Sequence, residues 1–340
     1  MAKVSIQIVT WNSLKFLPDC LKSIFDQTYK DFSVLIIDNA SNDGIIEFVK
    51  TNYPEVNILR NNKNLGFAIA HNQGMKLFES YPYILVINPD IILEKDWLEK
   101  ILLAVEKDKK IGAAGGKLLK IYTSEPEINE KVKTKIIDST GLKIFRSRRV
   151  VDRGEGELDQ GQYDKKEEVF GLSAACVLYR RQALEDIKLK IYEECFDKDF
   201  FVYKEDIDLS YRLRWRGWKI VYCPEAIAYH HRQISGGKNK ILEIIKKRKE
   251  RSSLIKHLSY RNHLFVLTKN ESFINFLKDL PWILFYELKK FFYILFFEQK
   301  TLVAIPEFFA KLPKMLKKRK LIMKNKKIKP KEMRKWILLE

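Results

Sequence analysis

Residues 83–93 read Tyr-Ile-Leu-Val-Ile-Asn-Pro-Asp-Ile-Ile-Leu, an apolar run that stops at Asn88-Pro89-Asp90. The run from Tyr83 to Ile87 predicts a strand buried on both faces, and Pro89, which has no N–H, cannot continue the ladder. A carboxylate therefore stands where the strand ends. In open α/β sheets ligands bind outside the carboxyl ends of the strands, so Asp90 is a candidate for holding a metal ion or a substrate hydroxyl. A turn in which Asp90 caps a helix starting near Lys95 would use the same residues, and the neighbouring strands have to decide.

Those strands follow one plan. Val4–Thr10 predicts a first strand, followed by Trp11-Asn12 and an amphipathic helix from about Leu14 to Phe25 with Leu17, Leu21 and Ile24 at helical spacing. Phe32–Ile37 predicts a second strand, ending on the polar turn Asp38-Asn39-Ala40-Ser41-Asn42-Asp43-Gly44. Val56–Leu59 predicts a third, and Asn61–Gly66 leads into a helix over about Phe67–Glu79. Strands alternating with helices across short loops predict an α/β fold, a mostly parallel sheet with helices on both faces. Polar clusters at Thr10–Asn12, Asp38–Asp43 and Asn88–Asp90 then share one edge, where a nucleotide would bind. No Gly-x-Gly-x-x-Gly and no P-loop occurs, so a divalent cation on Asp90 is the simplest way to offset phosphate charge.

Downstream, a helix is expected near Trp97–Glu106 and a strand over Ile111–Leu119, where Gly115-Gly116 permits close backbone approach. Residues 121–167 predict an irregular region with a strand or hairpin around Ile136–Phe145, the kind of loop that covers a substrate. Val169–Arg180 predicts a buried strand. Glu205, Asp206 and Asp208 open a helix that Gly217 ends; acids in a first turn either cap it or present a general base at its N-terminus. Lys219–Tyr222 and Ala226–Tyr229 predict two short strands, the second ending on His230-His231. Strand alternation lets only one of these histidines face the site, as a candidate metal ligand.

The formal net charge of +19 is confined to one region. Residues 1–231 hold 35 basic and 35 acidic side chains, residues 232–340 hold 28 and 9. We therefore expect a catalytic domain over 1–235 and a basic, aromatic-rich helical region over 236–340. Phe273–Phe297 is dense in aromatics but interrupted by Lys278, Asp279, Glu287, Lys289 and Lys290, which is too broken for a membrane span and suits a helix lying in the headgroup region. The lysines of Lys311–Lys331 would add attraction to an anionic surface. Nucleic-acid binding is disfavoured because the aromatics cluster in apolar runs and no recognition module is present. Cys20, Cys176, Cys195 and Cys223 have no paired metal spacing and no signal-peptide pattern precedes the first strand, so the expectation is a cytoplasmic protein with reduced, structural cysteines.

In this order and spacing the segments Val9-Thr10-Trp11-Asn12, Ile37–Gly44, Asn64-Leu65-Gly66-Phe67-Ala68, Asn72-Gln73-Gly74, Asn88-Pro89-Asp90, Phe196-Asp197, Phe200-Phe201, Glu205–Leu209, Arg212 and His230-His231 resemble the inverting glycosyltransferases of family 2, of GT-A fold. The branch most resembled is that of rhamnosyltransferases of cell-surface polysaccharide assembly, over roughly residues 3–270. The resemblance implies that Thr10, Asn12, Asp38 and Asp43 line the pyrimidine and ribose pocket, that Asn64, Gly66 and Asn72 lie along the donor, and that Asn88-Pro89-Asp90 occupies the place of the family's Asp-x-Asp metal motif. Asn88 replaces the first acid there, leaving Asp90 as its one carboxylate. It further implies Mg²⁺ or Mn²⁺ on Asp90 with His230 or His231, Asp206 as general base with Glu205 supporting it, and dTDP-rhamnose as donor. A UDP-hexose or UDP-N-acetylhexosamine is the alternative donor. The acceptor would be a saccharide or a polyprenyl-linked saccharide, and the enzyme would sit on the inner face of the cell membrane.

Overall fold

The computed structural model describes residues 3–123, 131–231 and 252–339. Its first third is the predicted alternation: β1 (Val4–Thr10), α1 (Leu17–Phe25), β2 (Phe32–Asp38), α2 (Ile45–Asn52), β3 (Asn57–Arg60), α3 (Gly66–Leu77), β4 (Tyr83–Ile87), β5 (Ile91–Leu93) and α4 (Trp97–Glu106). The four strands β3, β2, β1 and β4 lie side by side in that order, all parallel. Every residue of β4 is buried, as a strand covered on both faces must be. The register gathers polar groups: Thr10 pairs with Asp38 and Asp38 with Arg60, so three polar side chains arrive at one sheet edge.

Beyond β4 the ten-stranded sheet turns mixed. β6 (Ile111–Thr123), β7 (Lys131–Ser139), β10 (Glu167–Glu168), β11 (Cys176–Arg180) and β12 (Lys219–His231) extend it in the order β4-β11-β6-β12-β10, with β7 on β6 and β5 on β12. β11 runs antiparallel to both neighbours, while β12 is parallel to β6. Antiparallel pairing of β5 with β12 sets His230 opposite Ile91, beside Asp90. β8 (Leu142–Phe145) and β9 (Val150–Asp152) form a hairpin within the region expected to be irregular. The covering loop expected there falls partly on residues 124–130, which lie outside the described residues.

Two strand expectations need correction. Only Cys176–Arg180 of the segment 169–180 is strand. Residues 169–175 leave the ladder because their backbone groups serve other elements: Val169 N–H donates to Ile220, Gly171 O accepts from Leu142, and Ala175 O accepts from Asn88. Conversely, the two short strands expected over 219–229 are one. Register shifts at Cys223/Ile227 absorb Pro224 as a bulge, and Gly116 makes room for it, since a Cβ there would overlap the Ala226 carbonyl.

After α5 (Arg181–Ile187) and α6 (Glu205–Trp215), the C-terminal region comprises α7 (Ser253–Asn270), α8 (Phe273–Lys278), α9 (Leu280–Phe297), α10 (Ala304–Lys324), α11 (Pro330–Met333) and β13 (Ile337–Leu338). It shares a hydrophobic cluster with the sheet domain, in which Phe200, Ile207, Tyr211 and Trp215 pack with Phe265, Met315, Ile322 and Met333. β13 pairs with β8 in parallel. Ions reinforce the joint. Lys318, fully buried, contacts Glu194 at 2.8 Å, Asp199 at 2.9 Å and Asp197, and Lys269, also buried, contacts Asp208 at 2.7 Å and Asp197. Lys311 and Lys314 add to Asp199. Part of the lysine stretch that was expected to face outward therefore neutralises acids of the sheet domain, because a buried carboxylate is tolerable only when paired.

Helix α9 has two unlike faces. Ile283 and Ile294 are buried, whereas Leu284, Phe285, Leu288, Phe292 and Phe296 are exposed on the opposite side, Phe285 to 72 %. Positions 281, 285, 288, 292 and 296 recur at helical spacing, so the outer stripe is continuous and apolar. Among the described residues no helix is long and apolar enough to cross a membrane.

Candidate active site

The loops after β1 and β2 are knitted into one surface. Thr10 Oγ1 donates to Asp38 Oδ1 at 3.0 Å, Ser41 N–H to Asp38 Oδ2 at 3.0 Å, and Arg60 Nε stands 3.8 Å from the same oxygen. Asn12 Oδ1 accepts from Asn42 N–H at 3.0 Å while its own N–H donates to Ser41 Oγ, and Asp43 Oδ2 accepts from Leu14 N–H at 2.8 Å. Asn12 and Ala40 have φ of 50° and 62°, so both loops turn sharply at the strand ends. Asp38 is fully buried beneath this surface, and Trp11 stands 58 % exposed above it. Ala40, Arg60, Asn61 and Asn62 line an adjoining open cleft.

Asn64, Gly66 and Asn72 connect this edge to the segment before α6. Asn64 Oδ1 accepts from Gly66 N–H, and Asn39 Nδ2 donates to Gly66 O. Gly66 has φ +80°, and a Cβ on it would reach within 2.6 Å of Phe201 O, so glycine is required there. Ala68 N–H donates to Phe201 O at 3.2 Å. Asn72 accepts from the N–H groups of Cys195 and Phe196 and donates to Phe196 O, which places it in a clamp on that backbone.

The two proposed chemical centres meet at residues 174–175. Asn88 N–H donates to Ala175 O at 2.8 Å, and the next amide, Ala174 N–H, lies 3.5 Å from Asp206 Oδ2. One backbone segment thus separates Asn88-Pro89-Asp90 from the first turn of α6. Asp206 is half-buried, and Oδ1 accepts from Ile207 N–H at 2.8 Å. Glu205 is buried, with Oε2 lacking a hydrogen-bond partner. Burial raises the Asp206 carboxyl above its ordinary range despite the amides of Ile207 and Ala174, and burial with the neighbouring Asp206 charge raises Glu205 well above its own. A carboxyl so tuned, and still accessible, suits a general base. Asp208, in the same turn but fully buried, is spent on Arg212, Lys269 and Asn270.

His230 is the inward member of its pair. Nε2 lies 3.4 Å from Asp90 Oδ2 and Nδ1 lies 2.8 Å from Asp138 Oδ2. Burial works against its charge, yet Asp138 and Asp90 together raise it to about 9. His231 is directed elsewhere, its ring packing 5.2 Å from that of Phe16, although its N–H donates to Asp90 O. The atoms fit a divalent cation. Adjacent ligands at about 2.1–2.3 Å from a metal are roughly 3 Å apart, close to the Asp90–His230 spacing, and a carboxylate on the other imidazole nitrogen is the usual support of a metal-binding histidine. No group of three or more His, Cys, Asp or Glu side chains that could hold an ion exists among the described residues, so two protein ligands would leave the remainder to phosphate oxygens and water.

Sequence reading missed Asp138, 92 residues from its histidine partner, and Arg60, which only strand register brings to Asp38. The four cysteines are free and buried, and burial raises the Cys195 and Cys223 thiols to about 11.

A profile described as glycosyl transferase family 2 matches residues 5–188, and the chain belongs to that family. Among curated relatives, an N-acetylglucosaminyl-diphospho-decaprenol L-rhamnosyltransferase of Mycobacterium tuberculosis is 26 % identical over 245 residues, covering 68 % of this chain and 76 % of that protein. A poly-beta-1,6-N-acetyl-D-glucosamine synthase of Staphylococcus aureus is 24 % identical over 240 residues, 66 % of this chain and 49 % of its own length. Two solved structures share the fold, which is GT-A. GalNAc-T7 with UDP, GalNAc and Mn²⁺ superposes with a TM-score of 0.59 at 14 % identity over 79 % of this chain and 48 % of that one. S. aureus TarS 1–349 gives 0.55 at 14 % identity over 95 % and 86 %.

Proposed function

We propose that this glycosyltransferase moves a hexose with inversion, rhamnose from dTDP-rhamnose, onto a saccharide or polyprenyl-linked saccharide during cell-surface polysaccharide synthesis. The observation that carries the reading is the half-buried Asp206 carboxyl, raised in pKa and tied through Ala174 and Ala175 to Asn88-Pro89-Asp90. Asp206 takes the proton from the acceptor hydroxyl as it attacks the anomeric carbon, and buried Glu205 supports it from the same turn. Thr10, Asn12, Asp38 and Asp43 shape the nucleoside pocket, with Asn64 and Gly66 along the donor. Asp90 and His230 would hold Mg²⁺ or Mn²⁺, which supplies charge stabilisation for the departing nucleoside diphosphate. The name of the mycobacterial relative, an L-rhamnosyltransferase acting on N-acetylglucosaminyl-diphospho-decaprenol, supports both sugar and acceptor class.

Titration calorimetry with dTDP, UDP and GDP, each with and without Mn²⁺, tests the donor. The expected result is metal-dependent binding with dTDP tighter than UDP. Preference for UDP would move the donor to a UDP-hexose or UDP-N-acetylhexosamine, and failure of all three nucleotides to bind would remove the reading.

An acceptor on a lipid carrier places the reaction at the cytoplasmic membrane surface, and the outer stripe of α9 supports that location. Each phenyl ring it buries would contribute about 1.5–3 kcal/mol, with Lys289 beside the stripe and Lys278 and Lys300 at its ends adding attraction to anionic headgroups. In flotation, the full-length protein is expected to rise with anionic vesicles. Phe285→Glu, Phe292→Glu and Phe296→Glu combined should leave it in the dense fraction with nucleotide binding intact. Equal recovery of the two would exclude the stripe as the lipid contact.

A further inference from the structure

The loop that delivers Asp206 has an unusual backbone. Phe201, at φ 65° and ψ −68°, forms a three-residue turn closed by Val202 N–H to Phe200 O at 2.8 Å, the rarer and strained hand of that turn. Tyr203 and Lys204 follow at φ 72° and 69°. Three of the four residues before Glu205 thus occupy conformations that side-chain-bearing residues rarely adopt, and such loops persist only where their surroundings over-determine them.

One side chain from α7 supplies that constraint. The Nδ2 group of Asn262, fully buried, lies 2.9, 2.9 and 2.8 Å from the carbonyl oxygens of Phe200, Val202 and Tyr203. Its Oδ1 accepts from Arg261 Nε and Nη2 at 3.2 and 3.1 Å, which fixes the amide's orientation, and the same Nη2 donates to Asp199 O. The loop so held also touches the donor side, through Phe201 O and Ala68 N–H.

We propose that Asn262, oriented by Arg261, is a positioning residue that holds the 200–204 loop in its strained form and thereby aims Asp206 at the acceptor hydroxyl. The inference rests on Asp206 being the base. Asn262 bonds the loop's backbone, so an effect carried by Asp206 appears in kcat, whereas one carried through Phe201 and Ala68 appears in nucleotide affinity.

The test is a double-mutant cycle on the full-length enzyme. Asn262→Ala is expected to lower kcat at least tenfold while nucleotide affinity by calorimetry changes less than threefold. Combined with Asp206→Asn, it should cost no further activity beyond that of Asp206→Asn alone, because a base that is absent cannot be misaimed. Unchanged kcat in folded Asn262→Ala, or losses that multiply in the double variant, would overturn the proposal. If Asn262→Ala does not fold, Asn262→Ser, which keeps one donor, is read in the same way. Wild-type turnover in Asp206→Asn alone would instead reject the base assignment, so the two failures are distinguishable.

Discussion

Asp206→Asn is expected to lower turnover by roughly 10²–10⁴-fold, the usual worth of a positioned general base, while leaving metal-dependent nucleotide binding intact. The amide keeps the shape of the side chain and its contact with Ile207 N–H but cannot take a proton. The wild-type pH profile carries a second signature. A base works only when deprotonated, and burial raises this carboxyl above the ordinary aspartate value of 3.8, so the acidic limb of kcat/KM should lie above the ordinary carboxylate range and vanish in the variant. The stability sign is also defined. A carboxyl whose folded pKa exceeds its unfolded one stabilises the fold at low pH and loses that contribution as pH rises through the folded value. Asp206→Asn should therefore melt no lower than wild type at neutral pH. A variant that melts lower, or that turns over at the wild-type rate, contradicts the assignment.

The second large effect is expected at Asp90. Asp90→Ala removes the one carboxylate that faces His230 Nε2, and nucleotide affinity in Mn²⁺ should drop tenfold or more, to the value measured without metal. Affinity without metal should be unchanged, because the proposed nucleoside loops at Asp38 and Asp43 are held by Thr10, Ser41 and Leu14. An unaltered Mn²⁺ response would place the cation elsewhere.

The repeated strand and helix patterns made β1–β4 and their helices legible in the sequence, and the polar strand ends marked the edge of the candidate site. Local periodicity carries that information. It misled at residues 169–175, where small and apolar residues look like a strand but spend their hydrogen bonds on β8, β12, Asn88 and Asp206. It also split β12 at Pro224, because a bulge is visible only once β6 is beside it. The composition of the last third gave its charge but not its partners: Lys318 meets Asp197 and Asp199 across 121 and 119 residues, and no local pattern announces such a pairing. Asn262 was unreadable for the same reason, since its three acceptors are bare carbonyls some 60 residues upstream.

The acid knot around Lys318 also sets an order of events during synthesis. Strands β1–β12 can pair as soon as residue 231 has left the ribosome, but Glu194, Asp197, Asp199 and Asp208 then have neither Lys269 nor Lys318 beside them. At translation rates of roughly 5–20 residues per second, the stretch from residue 231 to Lys318 takes on the order of ten seconds to emerge. Until Lys269 and then Lys318 arrive, Asp197 and Asp199 lack the buried ammonium groups that neutralise them, while Asp208 has Arg212 of its own helix. The setting of α6, and with it of the proposed base, is completed by residues far downstream of it.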